Sequence, residues 1–167
     1  MDYYDLGTHS RTVTTSSPTA QLWFGRGLVW IYAYNHEEAI VCFQKALEAD
    51  PECAMAHWGI AYGIGPNYNK PWEAFEDDEK PDALAQARDA IAQASQLKDK
   101  VTPVERALIE GIEDGLNAAR PGALCEHFAQ ALFDALARHG LHKDSRCGYS
   151  IGLSYPPDWG ERTQSGG

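Results

Sequence analysis

Imidazole, carboxylate and amide groups converge at only a few places in this chain. Asn35-His36-Glu37 sets an imidazole beside a carboxylate, and His57 follows further along. His36, Glu37 and His57 are the residue types that ligate a divalent transition metal. Gly65-Pro66-Asn67-Tyr68-Asn69 and Trp72 add amide and aromatic groups in a stretch that reads as a loop, at the end of the hairpin where Asn35 to Glu37 lie. Together they would support a metal-assisted enzyme, or an accessory subunit of a biosynthetic pathway; no other cofactor is expected. Ordinary structural uses compete with that chemistry. A histidine in a helix's first turn is commonly a surface residue, Glu37 suits the positive helix end, and turn asparagines bond their own backbone. His57, beside Trp58, suits a hydrogen-bonded core or groove position. His9, His127, His139 and His142 have no metal-ligand spacing, and no nucleophile elbow, phosphate loop, HExxH or dinucleotide fingerprint occurs. An enzyme reading therefore starts behind a binding one.

Helices must position these groups, and their punctuation is clear. Ser17-Pro18 opens the first, with serine as cap and proline in the first turn. Asn35-His36-Glu37-Glu38 has capping-box spacing for a second helix running to about Ala49. Asp50-Pro51 starts a third that reaches Tyr62 or Ile64 before Gly65-Pro66. A fourth begins at Pro81 and aligns Ala83, Ala87, Ile91 and Ala94. Thr102-Pro103-Val104-Glu105 is a further capping box, for a fifth helix ending near Gly115 to Asn117. The sixth starts at Pro121, carries Leu124, Phe128, Leu132 and Leu136 on one stripe, and stops at Gly140. This divides the chain into an extended amino-terminal arm (1–17), a helical domain (18–140) with an insertion loop (65–80), and an irregular tail (141–167).

Composition narrows the partners. The 167 residues suit one domain. Fourteen Lys and Arg against twenty-four Asp and Glu give a formal charge of −10, which repels phosphate backbones and anionic lipid heads. Nucleic acid and membranes are thus disfavoured as partners. No apolar run approaches the roughly 20 residues of a membrane span, and Met1 to Asp5 lack a signal peptide's basic and apolar regions, so a cytoplasmic location is expected. Cys42, Cys53, Cys125 and Cys147 form no CxxC pair. Cys42 and Cys53 read as small buried hydrophobes.

Spacing within the first two helices is more specific. Trp23, Gly27, Trp30, Ala39, Phe43, Ala46 and Pro51 alternate bulky and small residues as a tetratricopeptide repeat does, with Arg26 the one departure, at a normally aliphatic place. The expected fold is all-α, a tetratricopeptide-repeat-like right-handed superhelix of about three helical hairpins. Gly7-Thr8-His9-Ser10-Arg11, Tyr34-Asn35-His36-Glu37-Glu38-Ala39, the run Asp50 to Ala61 and Gly65-Pro66-Asn67-Tyr68-Asn69 resemble the amino-terminal part of a longer bacterial and fungal family of tetratricopeptide-repeat proteins. The resemblance runs through Val104 to Ile109 and fades near Gly140. It implies further helical repeats, with histidine-bearing segments absent here, and makes the tail a divergent or truncated end.

On the concave wall of such a superhelix Phe24, Leu28, Ile31, Trp58 and Tyr62 are expected to form an apolar, aromatic groove, closed by Tyr68 and Trp72. The basic clamp by which such domains bind acidic chaperone tails is missing from those positions. A scaffold or adaptor holding a partner protein, an apolar peptide or another apolar ligand is the leading expectation. An uncovered last helix would also allow a homo-oligomer.

Overall fold

The computed structural model describes residues 3–65, 67, 70, 74–118 and 124–143. Tyr68, Asn69, Trp72 and all of the tail beyond residue 143 lie outside that set. Among the described residues there are six α-helices and no strand: α1 (Pro18–Tyr32), α2 (His36–Ala49), α3 (Ala54–Ile64), α4 (Glu79–Leu97), α5 (Pro103–Ala118) and α6 (Cys125–Arg138). A 3₁₀ turn, Lys98–Lys100, follows α4. Consecutive helices pack as three hairpins, and α1, α3 and α5 touch in turn. None of these helices is long and apolar enough to cross a membrane.

Small-against-large packing builds the first two hairpins. Phe43 of α2 is fully buried, with the Cδ1–Cε1 edge of its ring against Gly27 of α1 and the Cδ2–Cε2 edge against Gly59 of α3. A β-carbon on either glycine would fall 2.5 Å or 2.7 Å from that ring. Ala39, Ala46, Ala54 and Ala56 let the backbones approach closely around it, and Phe24, Met55 and Ile109 fill the remaining volume. The third hairpin repeats the device on a smaller scale, with Leu132 of α6 against Gly111 and Phe128 against Gly115 of α5. Leu132 is therefore half-buried, although Phe128 keeps 37% of its surface exposed.

Helix starts depart from expectation in three places. Asp50 accepts from the Glu52 amide at 3.0 Å, making a turn, so α3 begins three residues after Pro51. Helix α4 starts at Glu79, ahead of Pro81, which sits in the first turn where the missing N–H has no intrahelical partner in any case. Helix α6 starts at Cys125, so Leu124 is its exposed N-cap and not part of the apolar stripe. The Gly140 stop is as expected: with φ of +68° it lets the Leu141 amide reach back to the Leu136 carbonyl at 3.0 Å.

The two capping boxes differ. Thr102 and Glu105 close theirs, the Thr102 amide donating to Glu105 at 2.9 Å and the Glu105 amide to the Thr102 hydroxyl at 3.3 Å. Asn35 accepts from the Glu38 amide at 3.3 Å, but Glu38 does not return the bond. Its carboxylate accepts a hydrogen bond from the Tyr3 hydroxyl at 2.6 Å instead, because the Asn35 amide already donates to the Trp30 carbonyl. Tyr3 also accepts from the Trp30 indole at 2.8 Å and lies 3.0 Å from the Cys42 sulfur. The Arg26 guanidinium sits 4.4 Å above the rings of both Tyr3 and Trp23, so the arginine in the aliphatic place is held by cation–π contacts.

The arm is pinned along its length. Gln21 receives the Val13 amide and donates to the Arg11 carbonyl, both at 2.9 Å, while Val13 enters the core. Thr14 donates its amide and hydroxyl to Glu105 at 2.7 and 2.6 Å, and Thr15 bonds Asp50. Glu105, only 3% exposed, thus joins the arm to the start of the third hairpin.

Candidate functional site

Of the expected groove wall, Phe24, Leu28 and Ile31 are buried. Phe24 packs on Phe43 at 5.6 Å between ring centres and Ile31 approaches Gly63, so these side chains face α2 and α3 and line no open groove. An apolar helix face cannot announce whether a neighbouring layer covers it. Trp58 and Tyr62 do present aromatic surface. Their rings stack at 5.3 Å and 20°, and the Trp58 indole N–H donates to the Leu108 carbonyl at 3.1 Å, which fixes the stack to α5.

Two tyrosines that the groove expectation omitted extend this surface. Tyr32, Tyr34 and Tyr62 are 65%, 56% and 50% exposed. Partial burial of its ring, then the nearby Tyr32 and Tyr34 phenols, push the Tyr62 hydroxyl above the usual tyrosine range. The His9 ring lies edge-on to Tyr32 at 5.7 Å between ring centres. Tyr34 is the single described non-glycine residue with positive φ, +59°, at the α1–α2 turn. The Asn35 amide reaching back to the Trp30 carbonyl makes this the helix-terminating position that glycine normally fills. A bulky residue there is strained, and such strain concentrates at functional positions. The sequence signal was the Tyr32-Ala33-Tyr34 pair at a helix end.

Tyr34 also lines a cleft of about 820 Å³ between the start of α2, the end of α3 and the start of α4. Asn35, His36, Glu37, Gly65 and Asn67 all line it, so the two polar segments singled out in the sequence do meet. Glu79 and Asp82 line it as well. Lys70, the one lysine or arginine among its described lining residues, lies 4.4 Å from the Phe75 ring centre and 3.2 Å from Glu79. Burial lowers the His36 pKa, which leaves a neutral imidazole at neutral pH, and its Nδ1 is buried with no hydrogen-bond partner among the described residues.

His36, Glu37 and His57 do not assemble as metal ligands. His57 bonds the Pro51 carbonyl at 3.1 Å, beyond the far end of α2. A helix of that length separates it from His36 by roughly 20 Å. Among the described residues no three His, Cys, Asp or Glu side chains are placed to share a metal ion. Cys42 and Cys53 are buried and free, and burial raises both thiol pKa values, so neither is an activated nucleophile.

Residues 20–53 match the tetratricopeptide-repeat family, so the chain contains such a repeat, formed by α1 and α2. A second similarity is to hydrolases. The chain is 55% identical over 62 residues to the ectoine hydrolase of Halomonas elongata, covering 36% of this chain and 16% of that protein. Two uncharacterized hydrolase/peptidase proteins of Sinorhizobium fredii, y4tM and y4tL, are 48% identical over 58 residues and 39% identical over 67. These stretches cover 35% and 40% of this chain, and 15% and 16% of the relatives. The chain thus spans about a sixth of the length of the curated relatives it matches. No solved structure matches it.

Proposed function

We propose that this chain is a helical-repeat scaffold that binds a segment of a partner protein along the aromatic strip Trp58, Tyr62, Tyr32 and Tyr34. The observation that carries the reading is the exposure of Tyr32, Tyr34 and Tyr62, with Tyr62 stacked on a Trp58 ring that is tied to the next hairpin. Tyrosine and tryptophan supply large, stiff contact surfaces that lose little entropy on binding, and they dominate interface hot spots. A repeat scaffold holds them at fixed separations. The test is selection of displayed random peptides on the purified chain, with counter-selection on the Tyr32→Ala/Tyr62→Ala double variant. Enrichment confined to the unaltered chain supports the strip. Equal enrichment on both, or none, counts against it.

The hydrolase relatives favour a second reading, in which the matched stretch contributes to a hydrolase acting on ectoine or a related compound. Incubating the chain with ectoine and following its loss decides this. Turnover would move the assignment from scaffold to enzyme, and its absence leaves the matched stretch without a catalytic role of its own.

A further inference from the structure

Two residues that depart from the repeat pattern converge on one phenol. Arg26 stands where an aliphatic residue is usual, and the Glu38 carboxylate leaves its capping box open. Both serve Tyr3. Its hydroxyl donates to Glu38 at 2.6 Å, accepts from the Trp30 indole at 2.8 Å and meets the Cys42 sulfur at 3.0 Å. Burial, then the bonds to Cys42 and Glu38, raise its pKa well above the usual tyrosine range, so it stays a donor. The Tyr3 ring stands edge-on to Trp23 at 5.0 Å, with the Arg26 guanidinium 4.4 Å from its centre, and Lys45 packs on the Trp23 ring at 4.4 Å. Helices α1 and α2 thus form a socket built for a phenol: an indole N–H to give a hydrogen bond, a carboxylate to take one, and a cation over the ring. A phenylalanine ring would leave those polar groups without that partner. A phosphotyrosine would bring Glu38 no proton and a charge of about −1.5 to −2.

The contacts that hold this tyrosine plug are separate from those that hold the rest of the arm. From Val13 onward the arm is fixed by the core, Gln21, Glu105 and Asp50. Residues 7–12, between plug and anchor, are exposed. This strap touches the helices lightly, through the His9 ring on Tyr32 and the Arg11 carbonyl on Gln21. Gly7 turns it with a φ of +74°, its amide donating to Asp5. Drawn out, residues 5–12 would span about 27 Å, more than twice the roughly 10–12 Å width of a helix with its side chains. The socket therefore fits the plug equally well whichever copy's strap delivers it, and exchanging identical elements forms every contact again.

We infer that the socket on α1 and α2 is a tyrosine-recognition site whose ligand in trans is Tyr3 of a second copy, so that two copies associate by exchanging their arms. In the single chain the same Tyr3 fills the socket from within and competes with that association. Concentration and strap length set the balance, because the contacts are the same in both arrangements. None of the socket residues belongs to the aromatic strip above, so the two readings stand or fall independently.

Light scattering on size-exclusion fractions tests this with two complementary variants. Tyr3→Ala keeps the socket and lacks the plug, whereas Arg26→Leu/Glu38→Ala keeps the plug, weakens the socket and restores the aliphatic residue usual in the repeat. The unaltered chain is expected to show a dimer fraction that grows with concentration, and Tyr3→Ala to lose it. A mixture of the two variants is expected to form a heterodimer that neither forms alone, since one intact plug then meets one intact socket. Deletion of Thr8-His9-Ser10 puts the socket of its own chain out of the plug's reach, so it should raise the dimer fraction. In that shortened chain Tyr3→Phe should weaken the dimer about tenfold or more, through the lost hydrogen bonds. A peptide of residues 3–12 should dissociate the shortened chain's dimer, and its form phosphorylated on Tyr3 should not. Should Tyr3→Ala unfold the chain, the shortened chain and its Tyr3→Phe form still decide. A dimer that survives Tyr3→Ala places association elsewhere and overturns the inference. So does a shortened chain that stays monomeric, a mixture without heterodimer, or equal competition by the phosphorylated peptide.

Discussion

At the scale of single residues, a ring between two glycines and a buried carboxylate carry the most consequence. Gly27 and Gly59 leave space for Phe43, and an aromatic ring walled in on both sides cannot swing away from a new β-carbon. Gly59→Ala is expected to destabilise the chain by about 1–3 kcal/mol, read from the urea midpoint. Phe43→Leu made with it should recover part of that loss, because the two changes share one contact. Glu105 has no cation within its hydrogen-bonded shell; four donors from Thr14 and Thr102 hold it. Burial pushes its carboxyl upward, but those bonds outweigh it and keep the group below its ordinary value of 4.5. Stability from a carboxylate so depressed is complete above about pH 4.5 and is lost as the pH falls through its lowered folded value. Glu105→Gln should therefore cost about 1–3 kcal/mol at pH 7. The gap from the unaltered chain should narrow on acidification below about pH 4.5, as followed by urea unfolding at several pH values. The small and large ladder was legible because close approach of two helices demands those sizes at that spacing. That Glu105 would also hold the arm was not, since Thr14 lies 91 residues away along the chain.

At the scale of elements, helix identity was legible and helix surroundings were not. Caps, prolines and Gly140 are local signals, so the sequence placed six helices; errors arose where a turn or a first-turn proline shifted a start by a few residues. Which face of α1 would be covered depends on α2, α3 and the arm, and the supposed groove residues Phe24, Leu28 and Ile31 became core for that reason. The terminal helix illustrates the opposite case. Among the described residues α6 packs chiefly on α5 and has no layer beyond it. Its amides are expected to exchange with deuterium well before those of α2 and α3, which are covered on both sides. Leu132→Ala, which empties the contact on Gly111, should accelerate exchange in α6 and leave α2 unchanged, as resolved by peptide-level mass spectrometry.

For the whole molecule, charge and repeat architecture set the behaviour. Ten excess negative charges repel one another across a structure of this size. Raising ionic strength from about 0.01 M to about 0.15 M shortens the screening length from roughly 30 Å to roughly 8 Å, so the melting temperature should rise with salt. The rise, read by calorimetry on samples differing only in salt, measures that self-repulsion.

The sequence by itself determined the helices, the first repeat and the net negative charge, because local caps, side-chain volumes and net charge do not depend on where the chain later travels. It also brought Asn35, His36, Glu37 and Asn67 to one place, since segments at the same end of a hairpin are neighbours by construction. Only the tertiary structure decided which aromatics stay outside, parted His36 from His57, and opened a cleft beside a strained Tyr34. Exposure and convergence are properties of layers packed together, and the layers covering α1 come from segments distant along the chain.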